Sequence, residues 1–360
     1  MNMKKRILLI SSSNTGGGPS HIFLLREIFK NEIDFYLAMP QINTSIHDLK
    51  SNKYIQICER KISLIDIYNL IVFVKKNKIE IIHSHGKGAG VLGRIIKIFL
   101  RKTHIYTFHG IHTKCLSRFG RFIYILYENI AGWIDDEKIF VSSSEKDQAV
   151  KLKIYFRKNF SIINNATKKM KIKKDILINR NHMININNKN KNIVSICRLV
   201  EQKNIFEIFN IARNLPIYNF LILGDGYLYN QAKEYLKNKK INNVYLLGNQ
   251  KEIFKYLYSA ELFLSTSLYE GHPISILEAI SIGIPILASR VTGNIDTIQH
   301  GNSGFLYELG NIREAVSYIN KILNDSDIRK RLSINAFKIH RERFTTEKLK
   351  DSYLSLYRKY

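Results

Sequence analysis

Twice along this chain, short β-rich apolar runs alternate with amphipathic stretches of helical period, and that rhythm confines it to α/β architectures. In the first half the expected strands are Arg6–Ile10, Asp34–Met39, Tyr54–Cys58, Glu80–His83, His104–Phe108 and Lys138–Val141. Helical periods fill Ile65–Lys76, Ala89–Leu100 and Phe119–Trp133. Strand, helix, strand repeated in this way implies a parallel sheet with helices on both faces. From Ala166 to Lys191 the rhythm breaks into Asn, Lys and isolated Ile, which marks the end of one domain and a linker over 171–191. It restarts with strands Ile193–Cys197, Phe220–Leu223, Val244–Leu247, Leu262–Ser265 and Pro285–Ala288. Helices are expected at Ile205–Asn214, Tyr227–Asn238, Ile274–Ile282 and Arg313–Leu323, and Ile328–Tyr360 is strongly helical. The spacing therefore predicts two doubly wound domains, 1–170 and 192–342. Ligands of such sheets sit beyond the carboxyl ends of the strands, so a cleft where two of them face each other is the expected active site.

Length agrees: 360 residues are long for one core and comfortable for two. The cysteines Cys58, Cys115 and Cys197 are scattered without zinc or redox spacing, which fits a reduced, cytoplasmic setting. After Met1–Arg6 only five apolar-type residues follow, Ile7 to Ser11, too few for a signal-peptide core. No later run approaches the ~20 residues of a membrane span. A soluble or peripheral protein is expected.

The 56 Lys and Arg against 30 Asp and Glu give a net charge of +26. Such an excess asks for nucleic acid, acidic lipid or a phosphate-bearing substrate, although Asn/Lys/Ile-rich codon usage accounts for part of it. No helix-turn-helix, zinc finger or RNA-binding signature supports nucleic acid.

Several motifs stand at expected strand ends. Asn14-Thr15-Gly16-Gly17-Gly18-Pro19-Ser20-His21 opens a helix, where glycines and free amides can approach a phosphate; a tight turn explains it equally well. Histidines cluster in His83-Ser84-His85-Gly86-Lys87 and Phe108-His109-Gly110-Ile111-His112. With no carboxylate or cysteine to complete a ligand set, they read as polar positions lining an acceptor site, some of them structural, rather than as a metal centre. Arg198 and Lys203, five apart in a strand-to-helix loop, can converge on a diphosphate, or can be two solvated cations. Leu223-Gly224-Asp225-Gly226 suits close ligand approach or a simple turn.

The strongest motif is Tyr269-Glu270-Gly271-His272-Pro273-Ile274-Ser275-Ile276-Leu277-Glu278-Ala279. Pro273 fits the first helical position, which puts the amides of Ile274 and Ser275 at a positive helix end. Glu270 in the loop and Glu278 one turn into the helix can face one ligand, and a carboxylate is suited to a ribose diol.

Together these segments, with Gly301-Asn302-Ser303-Gly304-Phe305, resemble the retaining glycosyltransferases of family 4, also called glycosyl transferases group 1, of the bacterial surface-polysaccharide type. The two glutamates separated by seven residues carry the resemblance furthest. It implies the GT-B fold, two Rossmann-like domains with a C-terminal helix, about 343–360, crossing back to the first. By the same resemblance Arg198 and Lys203 bind the donor diphosphate, Glu278 the ribose and Glu270 the transferred sugar. The Gly16, Gly17 and Gly18 amides would reach the phosphates from the other domain, and His109 would sit beside the anomeric centre. His21, His83, His85 and Lys87 are assigned to the acceptor side. The loop departs from a common Gly-Gly-x-Glu form at Gly18-Pro19-Ser20-His21, which leaves Ser20 and His21 without an inherited role.

The implied reaction moves a hexose or N-acetylhexosamine from a nucleotide diphosphate sugar, a UDP-sugar by expectation, to a polyprenyl-diphosphate-linked glycan. No cofactor or metal is expected, because the cations and helix amides can stabilise the leaving diphosphate. Asp325-Ser326-Asp327 follows a helical stretch and reads as a helix cap, not a metal-binding triplet. A nucleotide-sugar 2-epimerase of the same fold and a basic nucleic-acid-modifying protein are the alternatives. Segments 94–102 and 114–124, which interleave Arg and Lys with large apolar residues, point to docking on the inner face of an anionic membrane.

Overall fold

The computed structural model describes residues 4–41, 51–111, 113, 116–154, 159–170 and 190–360. His112, Lys114, Cys115 and residues 171–189 of the expected linker lie outside them. The chain divides into two compact units, one of Met1–Asn165 with Glu347–Tyr360, the other Ala166–Thr346.

The first unit runs β1 (Lys5–Ser11), α1 (Gly17–Ile28), β2 (Ile33–Met39), β3 (Tyr54–Gln56), α2 (Leu64–Lys76), β4 (Ile81–His85) and α3 (Lys87–Leu100). It continues with β5 (Thr103–Thr107), α4 (Arg118–Ala131), β6 (Glu137–Phe140), α5 (Ser143–Lys151) and β7 (Phe160–Ile162). The described strands are all parallel, in the order β3-β2-β1-β4-β5-β6-β7. The order reverses between β1 and β4, so a ligand crevice opens at their carboxyl ends. Right-handed crossovers put α2, α3 and α4 on one face and α1 on the other. Leu70 and Val74 of α2 and Leu92 and Ile96 of α3 pack there on Leu8, Ile10 and Ile82. The other face is completed by the C-terminal helix, Thr346–Lys359, whose Tyr357 ring lies 6.3 Å from Phe29 and 6.2 Å from Phe35.

Helix α4 carries both a buried charge and an exposed apolar row. Its inward side chain Glu128 is buried and paired with buried Arg94 of α3, Nη2 to Oε2 at 2.8 Å. The same guanidinium holds Asp135 through Nη2 at 2.8 Å and Nε at 2.9 Å, and Asp135 also bonds Nδ1 of His104 at 2.9 Å. The rings of Tyr106 and Tyr127 lie 4.7 and 5.2 Å from the guanidinium carbon. The apolar residues Phe119, Phe122, Ile123, Leu126 and Ile130 face solvent instead, Phe119 73% exposed. A helix on a parallel sheet ordinarily packs its apolar stripe inward; here Tyr124 and Ile125 pack on the core of Tyr106, Phe108 and Phe140, and a charge network stands beside that contact.

The second unit holds β8 (Asn192–Ile196), α6 (Ile205–Arg213), β9 (Asn219–Leu223), α7 (Tyr229–Asn238), β10 (Val244–Leu246), α8 (Ile253–Tyr258) and β11 (Ala260–Ser265). Then follow α9 (Ile274–Ser281), β12 (Ile286–Ser289), α10 (Asn294–Thr297), β13 (Gly304–Tyr307), α11 (Ile312–Asn324) and α12 (Ser326–Arg343). Its described strands are parallel in the order β10-β9-β8-β11-β12-β13, and the order reverses between β8 and β11. Asp325 caps α12, its Oδ1 accepting the amides of Asp327 and Ile328 at 2.9 Å each.

Candidate active site

In the second unit the expected donor residues gather where the strand order reverses. The β8 end leads through Arg198 to a short 3-10 turn, Glu201–Lys203. The loop after β11 is tied to that turn: Thr266 Oγ1 donates to the carbonyls of Lys203 and Asn204 at 2.9 and 3.0 Å. Gln202 Nε2 donates to the Tyr269 carbonyl at 3.0 Å, and the Leu268 amide to the Gln202 carbonyl at 2.9 Å. This cross-bracing brings Lys203 Nζ to 2.5 Å from Glu270 Oε1, a carboxylate that is nearly buried. Arg198 stands half-buried with no hydrogen-bond or ion-pair partner for its guanidinium among the described residues.

Helix α9 begins beside this pair. Pro273 is the N-cap residue, with φ −77° and ψ 108°, and not the first helical residue as the sequence suggested. Its side chain offers no cap, so the amides of Ile274 and Ser275 are left for a ligand. Glu278, one turn further, has no side-chain partner among the described residues, and burial raises its carboxyl to about 7. A half-buried carboxyl without a side-chain partner, in the same unit as an unpaired Arg198, marks a binding site more than a packing position.

The Gly224-Asp225-Gly226 loop is explained by the protein itself. Gly224 has φ 130°, and a Cβ there would lie 2.0 Å from the Cys197 carbonyl oxygen; at Gly226 it would lie 2.3 Å from that of Leu199. Glycine lets this loop brace the segment that carries Arg198.

In the first unit the glycine loop follows β1, with Gly16 (φ 98°) as the N-cap of α1. Gly17 and Gly18 supply first-turn amides. Lys87, at the start of α3, lies 4.1 Å from the Tyr124 ring centroid. The imidazoles of His21, His83, His85 and His109 form one cluster, with His83 and His85 centroids 4.1 Å apart, His109 stacked on His85 at 5.2 Å and edge-on to His21 at 5.2 Å.

His21, His83 and His85, assigned to the acceptor side with some of them structural, are all three buried. His83 spends both nitrogens on the fold, Nδ1 on Tyr357 Oη at 2.7 Å and Nε2 on Thr107 Oγ1 at 2.8 Å. His21 Nε2 meets Tyr353 Oη at 2.9 Å, and burial lowers its pKa to about 4. His85 Nδ1 meets His109 Nε2 at 2.9 Å. Among the described residues no group of His, Cys, Asp and Glu is arranged to hold a metal ion.

Sequence reasoning missed Glu145. It is fully buried in the first turn of α5, and its carboxylate accepts the amides of Gly110 and, at 2.8 Å, Val141. It thereby staples the turn after His109 to the end of β6. The only signal was Ser142-Ser143-Ser144-Glu145, which resembles an ordinary capping box.

The family profile described as Glycosyl transferases group 1 matches residues 180–339, the stretch that carries Arg198, Lys203, Glu270 and Glu278. Among curated relatives, the UDP-Gal:alpha-D-GlcNAc-diphosphoundecaprenol alpha-1,3-galactosyltransferase of Escherichia coli is 27% identical, over 82% of this chain and 79% of the relative. Over residues 180–339 the chain is similar to the group 1 glycosyltransferases. The capsular polysaccharide biosynthesis glycosyltransferase CapM of Staphylococcus aureus is 24% identical over 91% of this chain and 86% of its own. Anabaena HepE, solved with UDP and glucose, superposes with a TM-score of 0.84 at 18% identity, over 98% of this chain and 99% of that one. That likeness shows the GT-B fold.

Proposed function

We propose that this glycosyltransferase moves a hexose or N-acetylhexosamine from a UDP-sugar to a lipid-linked glycan acceptor in bacterial surface-polysaccharide synthesis, with retention and without a metal ion. The observation that carries the reading is the set Arg198, Lys203–Glu270 and Glu278 at the strand-order reversal of the second unit. Arg198 and Lys203 supply two cations for a diphosphate, α9 adds its first amides, and Glu278 offers two oxygens to a ribose diol. Glu270 and His109 are assigned to the transferred sugar. The relatives support a UDP donor and a diphosphoundecaprenol-linked acceptor. In the transfer step the bond from C1 to the diphosphate oxygen breaks while the acceptor oxygen bonds C1 on the same face. The acceptor proton passes to the departing diphosphate. A thermal-shift and hydrolysis screen of UDP-sugars tests the assignment; no response to any nucleotide sugar overturns it.

Chelation with EDTA is expected to leave turnover unchanged, since fixed cations and helix amides take the electrostatic role of an ion. Loss of turnover restored by Mg²⁺ or Mn²⁺ contradicts the metal-free reading.

Nucleotide affinity should depend on pH through Glu278. Its raised pKa means the unliganded fold gains stability at low pH that is lost as pH rises through about 7. A diol needs ionised acceptor oxygens, so UDP binding should strengthen over the same window, by up to ~tenfold per pH unit below it. Calorimetric titration from about pH 5.5 to 8 checks this, and Glu278→Gln should flatten the profile.

The same reading places the enzyme on an anionic bilayer. On α2, α3 and α4 the acidic side chains Asp66 and Glu128 are buried, so the exposed charges on these helices are cationic. Exposed Leu64, Ile65 and Tyr68 of α2, Ile98 and Phe99 of α3, and the outward row of α4 provide the apolar part. Arg94 is withdrawn from the basic segment 94–102 by its buried pairing, which leaves Arg101, Arg118 and Arg121 exposed. No helix among the described residues is long and apolar enough to cross a membrane. Each cation near acidic headgroups contributes ~1 kcal/mol. Co-sedimentation with acidic liposomes should fall with salt and on changing Arg118 and Arg121 to Glu; indifference to acidic vesicles at low salt rejects docking and leaves the transferase assignment intact.

A further inference from the structure

His109 adopts a left-handed backbone conformation, φ 57°, that residues other than glycine seldom take. The turn is held from one side by Glu145, whose carboxylate accepts the Gly110 and Val141 amides and whose own amide donates to Ser142 Oγ at 3.2 Å. On another side, His85 Nδ1 lies 2.9 Å from His109 Nε2. Burial foremost, and repulsion between neighbouring imidazoles, push both rings well below their usual pKa, so both are neutral at pH 7.

A neutral imidazole has one N–H and one bare nitrogen, and the hydrogen bond between two such rings uses one of each. Which ring donates follows from the far nitrogen of His85. Its Nε2 is buried with no partner among the described residues. Orphaned buried N–H groups are rarer than under-satisfied acceptors, so Nε2 is the bare nitrogen and the proton sits on Nδ1. His85 therefore donates to His109 Nε2, and His109 carries its own proton on Nδ1. That atom has no hydrogen-bond partner among the described residues.

We propose that His85 is a positioning residue that fixes the tautomer of His109, so that His109 presents Nδ1–H as a hydrogen-bond donor to a hydroxyl of the transferred sugar. Glu145 fixes the backbone from which that donor points. The inference rests on the sugar contact assigned to His109 above.

Histidine-labelled full-length enzyme reports the tautomer directly through its ring ¹⁵N shifts. The expected spectrum has His109 protonated at Nδ1 and bare at Nε2; the reverse assignment overturns the inference alone. In His85→Phe the fixed tautomer should be lost, with kcat down about 10–100-fold and donor KM nearly unchanged. His85→Asn, which can return an N–H to the place of Nδ1, should recover most of the rate. Equal loss in both variants overturns the tautomer role, and the wild-type spectrum decides should either variant fail to fold. If His109→Ala leaves turnover unchanged, the sugar contact falls and this inference with it.

Discussion

Glu270→Ala should cut sugar transfer by about 10–100-fold while UDP binding holds or tightens. A hydrogen bond to a charged group is worth ~1.5–3 kcal/mol, and Glu270 is assigned such bonds to hydroxyls of the transferred sugar. The same carboxylate occupies Lys203 at 2.5 Å in the unliganded enzyme. Removing it frees the ammonium for the diphosphate, so affinity for UDP, which has no sugar to lose, is not expected to suffer. Lys203→Ala should do the opposite, weakening UDP binding. Calorimetry with UDP and steady-state transfer rates separate the two. Parallel losses of UDP affinity and rate in Glu270→Ala would place this carboxylate on the phosphate side of the site and reject its sugar role.

Arg94→Met should destabilise the first unit by about 3–5 kcal/mol, the usual cost of removing one partner from a buried ion pair. Glu128 and Asp135 would both remain buried without the guanidinium that they share. His104 and Lys138, within 2.9 and 3.3 Å of Asp135, cannot compensate Glu128 as well. Urea unfolding followed by a probe in the first unit measures the loss. A change below about 1 kcal/mol would mean that water reaches the network. Arg94→Met with Glu128→Leu should recover part of the loss, because well-packed apolar residues can replace buried ions.

The strands of both sheets were legible because central parallel strands are near-continuous apolar runs. Five elements were not, among them the short helices α8 and α10, of six and four residues. β7 has three residues with Phe160 and Ile162 partly exposed at the sheet edge, β13 has four in a glycine-rich stretch, and α5 is almost wholly polar. The donor side of the site was legible because its loops carry Arg, Lys, Glu, Gly and Pro in combinations that packing does not require. The burial of the histidines was not legible, for a physical reason. His83 and His85 share one face of β4, and what buries that face comes from the far end of the chain, Tyr357 lying 274 residues from His83. Arg94 misled likewise, since a count of cations along a helix does not reveal which one meets a buried Glu128 and Asp135.

The helix Thr346–Lys359 also gives the first unit an unusual timetable at the ribosome. β1 to β7 are complete once about Asn165 has been made, yet His21 and His83 wait for Tyr353 and Tyr357 to emerge. At ~5–20 residues per second that delay is roughly 10–40 s. During it the strand carrying His83 and His85 lacks the tyrosines that cover it, so the nascent first unit should be the form that chaperones and proteases meet, and the last helix the step that withdraws it from them.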